Sequence, residues 1–575
     1  KFGRSKAVQR VIMTLMDQDE LSVALEAYCR KQLTKGVPSL ASDLQSFLLL
    51  ESPPPSSPDA EKTFVLATDP LDIKNHATYQ AMVKIADRFI TNLESCKKYD
   101  PNDTDEEPPS TILWAWYFRA GLHELAGQYN EGIALLEKCF EHTPTAVDVY
   151  ELIARLYRSA GDIAKAVEYL DKGRDLDKQD RYINNLTTKY MLAAGQPETA
   201  LERISLFTKH EGNPEQNLFD MQCCWYELDL ADCLGRKQIF GKAIKKYTAV
   251  VQHFEDFQED QFDFHSYCIR KVTLRAYTDV LRWEDDLWGQ PYYGRAAEGL
   301  IDLYLKLHDN PGLLNEQLGN GAEPDYSNMT AAERKKAKAI ARKKKKAAEK
   351  KAAELEEKQK AENNGKALAN GPVDDDPDGK ELLKSKVPLD EARNYSAILS
   401  KHAPGKVSTW ILQFDVSMRR KKTLMALQAL FKAKSIDAEN PDLFTRIVEF
   451  AVTTPFVDEN EIVMSVVKSE LPSLLNGCSN VGDFVMRMSE TCKSAVETLS
   501  LPMRTAIAAA LIKTEKASPK EASELIVNGG LNGHGMTVEN CAKALTVLQK
   551  MGAETGTWEK IVKEGFPLST LFASS

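Results

Sequence analysis

Lysines at positions 242, 245 and 246 recur at i, i+3 and i+4, the spacing that sets three ammonium groups on one face of a helix. The next helical stretch carries His265, Tyr267, Arg270, Lys271 and Arg275. Like charges at this spacing repel one another unless an anion or an acidic partner neutralises them, so these residue types offer anion binding. Three lysines alone read as solvated surface. With the second helix added, and packed against the first as a hairpin or neighbour, the cations converge on one patch and an anion site becomes the better reading.

A second cationic feature runs from Arg334 to Lys351, with eleven Lys/Arg against one Glu, a net charge of +10. Arg334, Lys335, Lys336, Lys338, Arg342, Lys343, Lys344, Lys345 and Lys346 are its candidate contacts to RNA. With no aromatic residues interleaved, such a segment would hold a phosphate backbone without reading bases, and would release it as salt rises. Ribosomal RNA fits that chemistry. Two blander readings stand beside it: a solvated, alanine-rich helix, and a nuclear-targeting signal in Arg342–Lys346.

Catalytic chemistry has no comparable constellation. There is no phosphate-binding Gly-x-x-x-x-Gly-Lys-Ser/Thr loop, no Gly-x-Ser-x-Gly elbow and no His-Glu-x-x-His. The nine histidines form no close metal-ligand pair, and the ten cysteines show no Cys-x-x-Cys spacing. Asn528–Gly535 (NGGLNGHG) is glycine-rich, but no strand pattern precedes it, so it reads as a flexible loop. No catalytic residue, resident metal or cofactor of its own is expected.

The elements that must carry these cations are set by a repeat. Gly127, Gly161 and Gly195 are spaced by 34 residues, the tetratricopeptide (TPR) period. Gly132, Ala166 and Ala200 return five places after each glycine, where the two helices of a hairpin approach too closely for a large side chain. Trp116, Tyr150 and Asn184 open the three units. Phe240, Ala243 and Tyr247 fit a fourth unit in which Gln238 replaces the glycine, and Leu424, Ala426, Leu430 and Ala433 a late one. Leu21, Ala24, Ala27 and Tyr28 suggest a helix ending at Gly36. The fold class is therefore all-α, a TPR-type solenoid of helical hairpins. Hairpins of this kind bury their apolar faces only by stacking, and the stack offers a protein-binding surface. The first unit begins abruptly, so further repeats are expected upstream.

Composition agrees with a scaffold. A chain of 575 residues exceeds one compact core, and a net charge of −10 argues against non-specific nucleic-acid binding by the whole chain. No apolar run approaches the ~18–20 residues that span a bilayer. Scattered cysteines at apolar helical positions read as small core residues of a reducing, cytoplasmic compartment. The organisation expected is helical hairpins with proline-rich breaks over 1–110, TPR units over 111–311, a basic helix and acidic flexible linker over 312–387, and a helical block over 388–575.

Longer matches then single out a family. Glu259–Tyr277 (EDQFDFHSYCIRKVTLRAY), Lys306–Pro311 (KLHDNP), Asp180–Gly195 (DRYINNLTTKYMLAAG), Asn102–Trp114 (NDTDEEPPSTILW) and Thr34–Leu44 (TKGVPSLASDL) resemble the auxiliary, ribosome-anchoring subunit of the N-terminal acetyltransferase A complex, NatA. The resemblance is dense from Thr34 to Pro311 and thins after Pro441. It implies an all-helical ring or horseshoe that wraps and activates a small GNAT-fold catalytic subunit, which binds the acetyl-CoA, and docks it at the ribosome. It also implies inositol hexakisphosphate as a structural ligand, carried onto Lys242, Lys245, Lys246, His265, Tyr267 and Lys271. A small regulatory protein of the huntingtin-interacting protein K type is a further implied partner. The protein expected is thus not itself an enzyme, and is cytoplasmic and ribosome-associated with a minor nuclear pool. A TPR cochaperone-type adaptor that clamps acidic peptide tails is the alternative.

Overall fold

The computed structural model describes residues 5–51, 64–209, 212–271, 274–318, 376–453, 460–494 and 499–572. The basic run of 334–351 lies outside them. Helical hairpins dominate, as the period predicts, and the repeat glycines show why. Gly127, Gly161 and Gly195 have φ of +70°, +91° and +77°. This left-handed conformation, open to glycine without a Cβ clash, ends the first helix of each hairpin. In each unit the residue after the glycine donates its N–H to a carbonyl five residues back: Gln128 to His123 at 2.9 Å, Asp162 to Tyr157 at 2.8 Å and Gln196 to Met191 at 2.9 Å.

The weaker units reuse this turn without glycine. Gln238 has φ +59°, and Ile239 N–H reaches the Leu234 carbonyl at 2.9 Å; Lys421 has φ +55°, and Lys422 N–H reaches Ser417 at 2.8 Å. Five places on, Ala243 and Ala426 are buried like Ala166 and Ala200. At Gly132 an added Cβ would stand 3.0 Å from Leu156 Cδ1.

The chain forms two compact units, each assembled from separate segments. The first comprises Lys1–Tyr190, Asn440–Asp458 and Lys468–Ser575. Its hairpins Thr111–Leu125/Tyr129–His142 and Val147–Ala160/Ile163–Leu176 are the regular repeats. Ahead of them, Ala77–Cys96 packs through Phe89, Met82 and Tyr79 onto the core of Gln18–Thr34. A short antiparallel pair, Leu49–Glu51 with Phe64–Leu66, flanks the proline-rich break in the register Leu49↔Leu66, Leu50↔Val65 and Glu51↔Phe64. Helical periodicity carried no sign of it.

The second unit comprises Met191–Glu439 and Glu459–Val467. Its centre is the helix Phe240–Glu259, called here the lysine helix, paired with Cys224–Arg236 and covered by Pro291–Asp309. Phe240, Ala243, Ile244, Tyr247, Val250, Val251 and Phe254 form its buried stripe at helical spacing. Its N-terminus has no local side-chain cap; instead the Gln317 side chain accepts from Phe240 N–H at 3.1 Å. None of the ten cysteines is joined in a disulfide, and seven are buried. Burial pushes the thiols of Cys29, Cys139 and Cys541 up to about 12, so they pack as neutral groups.

Candidate anion-binding face

The three lysines occupy the first two turns of the lysine helix, on the side left free by its apolar stripe. That end of a helix already carries positive partial charge from its unpaired N–H groups, so three cations there require anionic company. The structure supplies it from two remote segments. Lys246 Nζ lies 2.8 Å from Glu215 Oε2, on the helix Pro214–Asp220. Lys242 Nζ lies 3.3 Å from Asp378 Oδ1, and Lys245 Nζ donates to the backbone carbonyl of Asp376 at 2.7 Å.

Asp376 and Asp378 belong to a turn that opens the short helix Lys380–Ser385. The Asp376 carboxylate accepts from the N–H groups of Lys380 at 2.7 Å and Leu382 at 3.0 Å. Partial burial alone would raise the carboxyl, but the N–H groups of Leu382, Glu381 and Lys380, with Lys245 adding, hold it below the usual range. The Asp378 carboxyl is lowered first by its hydrogen bond from Lys380 and then by Lys242, against a smaller opposing effect of burial. Residues 376–379, within the expected linker, are therefore held against the lysine helix.

His265, Tyr267 and Lys271 lie on the following helix, Gln261–Lys271. His265 Nε2 sits 3.0 Å from Glu284 Oε2, and its Nδ1 3.5 Å from the Tyr277 hydroxyl, so this histidine closes on the helix Leu274–Asp285. Tyr267 is 55% exposed, and Lys271 is exposed beside it. At 1.5 Å per residue, His265 stands roughly 6 Å beyond the start of its helix and Lys246 roughly 20 Å before the end of the lysine helix. The six candidates thus lie on two successive helices, the lysines turned to Glu215, Asp376 and Asp378 and His265 to Glu284. The ribosomal candidates, Arg334 through Lys346, lie outside the described residues.

Sequence reasoning missed Glu215, Asp376 and Asp378 as partners of the lysines. Asp376 is 131 residues from Lys245, so no local spacing could pair them. The available signal was the string Asp376-Pro-Asp-Gly-Lys380, a turn with an acidic cap before a helix.

The glycine-rich segment also differs from a free loop. His534 Nε2 is 2.9 Å from Asp72 Oδ1, and Gly535 N–H donates to Asp69 Oδ2 at 2.7 Å. Ligand-type atoms of Asp69, Asp72 and His534 lie within 4.8 Å of one another. The Asp69 oxygens are already used, Oδ1 by Leu71 N–H at 2.9 Å and Oδ2 by Gly535 N–H, which makes this a clasp within the first unit.

Comparison with known proteins agrees with the helical-hairpin fold. The family model described as N-terminal acetyltransferase A, auxiliary subunit, matches residues 72–433. The chain belongs to the NatA auxiliary subunit family. It is 38% identical over 480 residues to the N-terminal acetyltransferase A complex auxiliary subunit NAA15 of Arabidopsis thaliana, covering 82% of this chain and 50% of that protein. It is 32% identical over 474 residues to N-alpha-acetyltransferase 16, NatA auxiliary subunit, of Homo sapiens, covering 81% of this chain and 52% of that protein. The chain thus spans about half the length of these relatives. The solved structure of Naa15/Naa10 bound to HypK-THB aligns with a TM-score of 0.60 and 26% identity, over 82% of this chain and 57% of the solved one. The TPR-type, all-helical class expected from the 34-residue period is borne out.

Proposed function

We propose that this chain is a non-catalytic scaffold that wraps and activates a GNAT-fold catalytic subunit for N-terminal acetylation of nascent chains. One observation carries the reading: the fold aligns over most of its length with a NatA auxiliary subunit solved together with Naa10. Stacked helical hairpins suit that role, because they expose long helical faces without a pocket of reactive groups. The catalytic subunit brings the acetyl-CoA site, and a HypK-type protein is the second partner suggested by the same solved complex. The lysine helix, with His265, Tyr267 and Lys271, is proposed to hold inositol hexakisphosphate; convergent ammonium groups at a helix N-terminus support it. Ribosome anchoring is assigned to the basic run 334–351, on the strength of its charge. The site of action is then the cytoplasm.

The deciding experiment mixes the purified chain with the catalytic subunit and follows acetylation of peptides beginning with Ser, Ala or Thr. The chain alone is expected to be inactive. The mixture should exceed the catalytic subunit alone by at least about tenfold, equivalent to ~1.4 kcal/mol of transition-state stabilisation. Unchanged rate and unchanged substrate preference would overturn the scaffold reading.

A further inference from the structure

We propose that the turn 376–379, with the short helix behind it, is an internal counter-anion for the lysine helix, and that inositol hexakisphosphate gains Lys242 and Lys245 by displacing it. This rests on the reading of that helix as a polyphosphate site, and adds its regulation.

Three independent features join the turn to the helix. Electrostatically, Asp378 pairs with Lys242 at 3.3 Å and the Asp376 carbonyl receives Lys245 at 2.7 Å. Sterically, the two backbones touch through a pair of glycines. A Cβ on Gly241 would stand 2.3 Å from the Asp378 carbonyl oxygen, and one on Gly379, at φ +69°, would stand 2.3 Å from that of Gly241. No other residue type permits this approach on both sides. Finally, Leu383 is buried, and its Cδ1 would lie 3.3 Å from the same added Cβ on Gly241. The segment is seated, and it is seated on the lysines that the anion reading requires.

The contacts also show why this occupant can leave. Asp376 turns its carboxylate toward the N–H groups of Lys380 and Leu382 and offers Lys245 its carbonyl. Asp378 divides its charge between Lys242 and Lys380, the latter at 3.0 Å. Both ion pairs are substantially exposed, where each contributes little. A hexakisphosphate brings several doubly ionisable groups to the same ammonium ions and makes charge-assisted hydrogen bonds with all of them. The acidic turn therefore holds the lysines together in the absence of ligand and raises the ligand concentration needed to take them.

The test is calorimetric titration of inositol hexakisphosphate into the full chain at fixed salt, for the wild type, Asp378→Asn, Gly241→Ala and Lys245→Glu. Asp378→Asn removes a charge, whereas Gly241→Ala lifts the turn mechanically while favouring the helix. Each should tighten binding about two- to fivefold, the range expected for loss of one exposed competing ion pair. Amide hydrogens of residues 380–385 should lose protection when the wild type is saturated. Equal affinity in wild type and both loosened variants, with those amides still protected, would overturn the displacement and leave the anion site standing. No binding by the wild type or either loosened variant, or unchanged binding by Lys245→Glu, would overturn the anion site itself.

Discussion

Lys242, Lys245 and Lys246 stand where a helix least favours cations, and each finds an acceptor from another part of the chain. The acidic partners respond in kind, since Asp376 and Asp378 both have carboxyls held below their ordinary range. A carboxyl lowered by the fold contributes stability that is fully present above its unfolded value, near pH 4, and is lost as pH falls through its folded value. The turn 376–379 should therefore stay on the lysine helix from neutrality down to about pH 4 and release below it. Hydrogen exchange of residues 380–385 across a pH series, corrected for intrinsic rates, measures this. Protection that persists well below that range would show that Leu383 and the glycine contact hold the segment without the carboxylates. The three lysines were legible because their spacing is local. Glu215, Asp376 and Asp378 were not, because an ion pair across a long loop leaves no periodic trace.

At the scale of the element, the 34-residue period is a record of turn geometry. Gly127, Gly161 and Gly195 mark it because the left-handed turn disfavours a Cβ; Gln238 and Lys421 adopt the same conformation without that freedom. Replacing Gln238 or Lys421 by glycine should stabilise its hairpin by about 0.5–1 kcal/mol. Replacing Gly161 by alanine should cost more than the same change at Gly195. At Gly161 an added Cβ would lie 2.5 Å from Ser569 Oγ, whereas nothing stands within 4 Å at Gly195. Thermal midpoints of the four variants check the order. A Gly195→Ala penalty as large as that of Gly161→Ala would remove the contribution assigned to Ser569. The small residues five places on were equally legible, since a buried alanine at a hairpin crossing is a local requirement. The strands Leu49–Glu51 and Phe64–Leu66 were not, being three residues each.

At the scale of the whole molecule, each compact unit draws on segments far apart in the chain. In the first unit the late segments return to the early helices at specific atoms. His534 meets Asp72, Gly535 meets Asp69, and Thr570 N–H and Oγ1 both reach the Gly161 carbonyl, at 3.2 and 3.1 Å. Trp558, fully buried with its indole N–H on the Cys541 carbonyl at 3.2 Å, anchors the segment that makes these ties. Removing residues 528–575 should therefore loosen helices more than 350 residues earlier. Amide protection in Pro70–Asn75 is expected to fall by at least about tenfold, as local opening becomes easier without its cover. Unchanged protection there would mean that the early hairpins stand without the late block.

Repeat period, turn type and apolar stripes are local properties, readable from neighbours a few residues apart, and they were enough for the helical-hairpin class, whereas the family was legible in the longer matches between Thr34 and Pro311. Which acids neutralise the lysine helix, and which late residues cover Gly161 and Asp72, arises from contacts across 31 to 462 residues. Those pairings are selected by shape and charge after the helices have packed, and only the folded chain displays them.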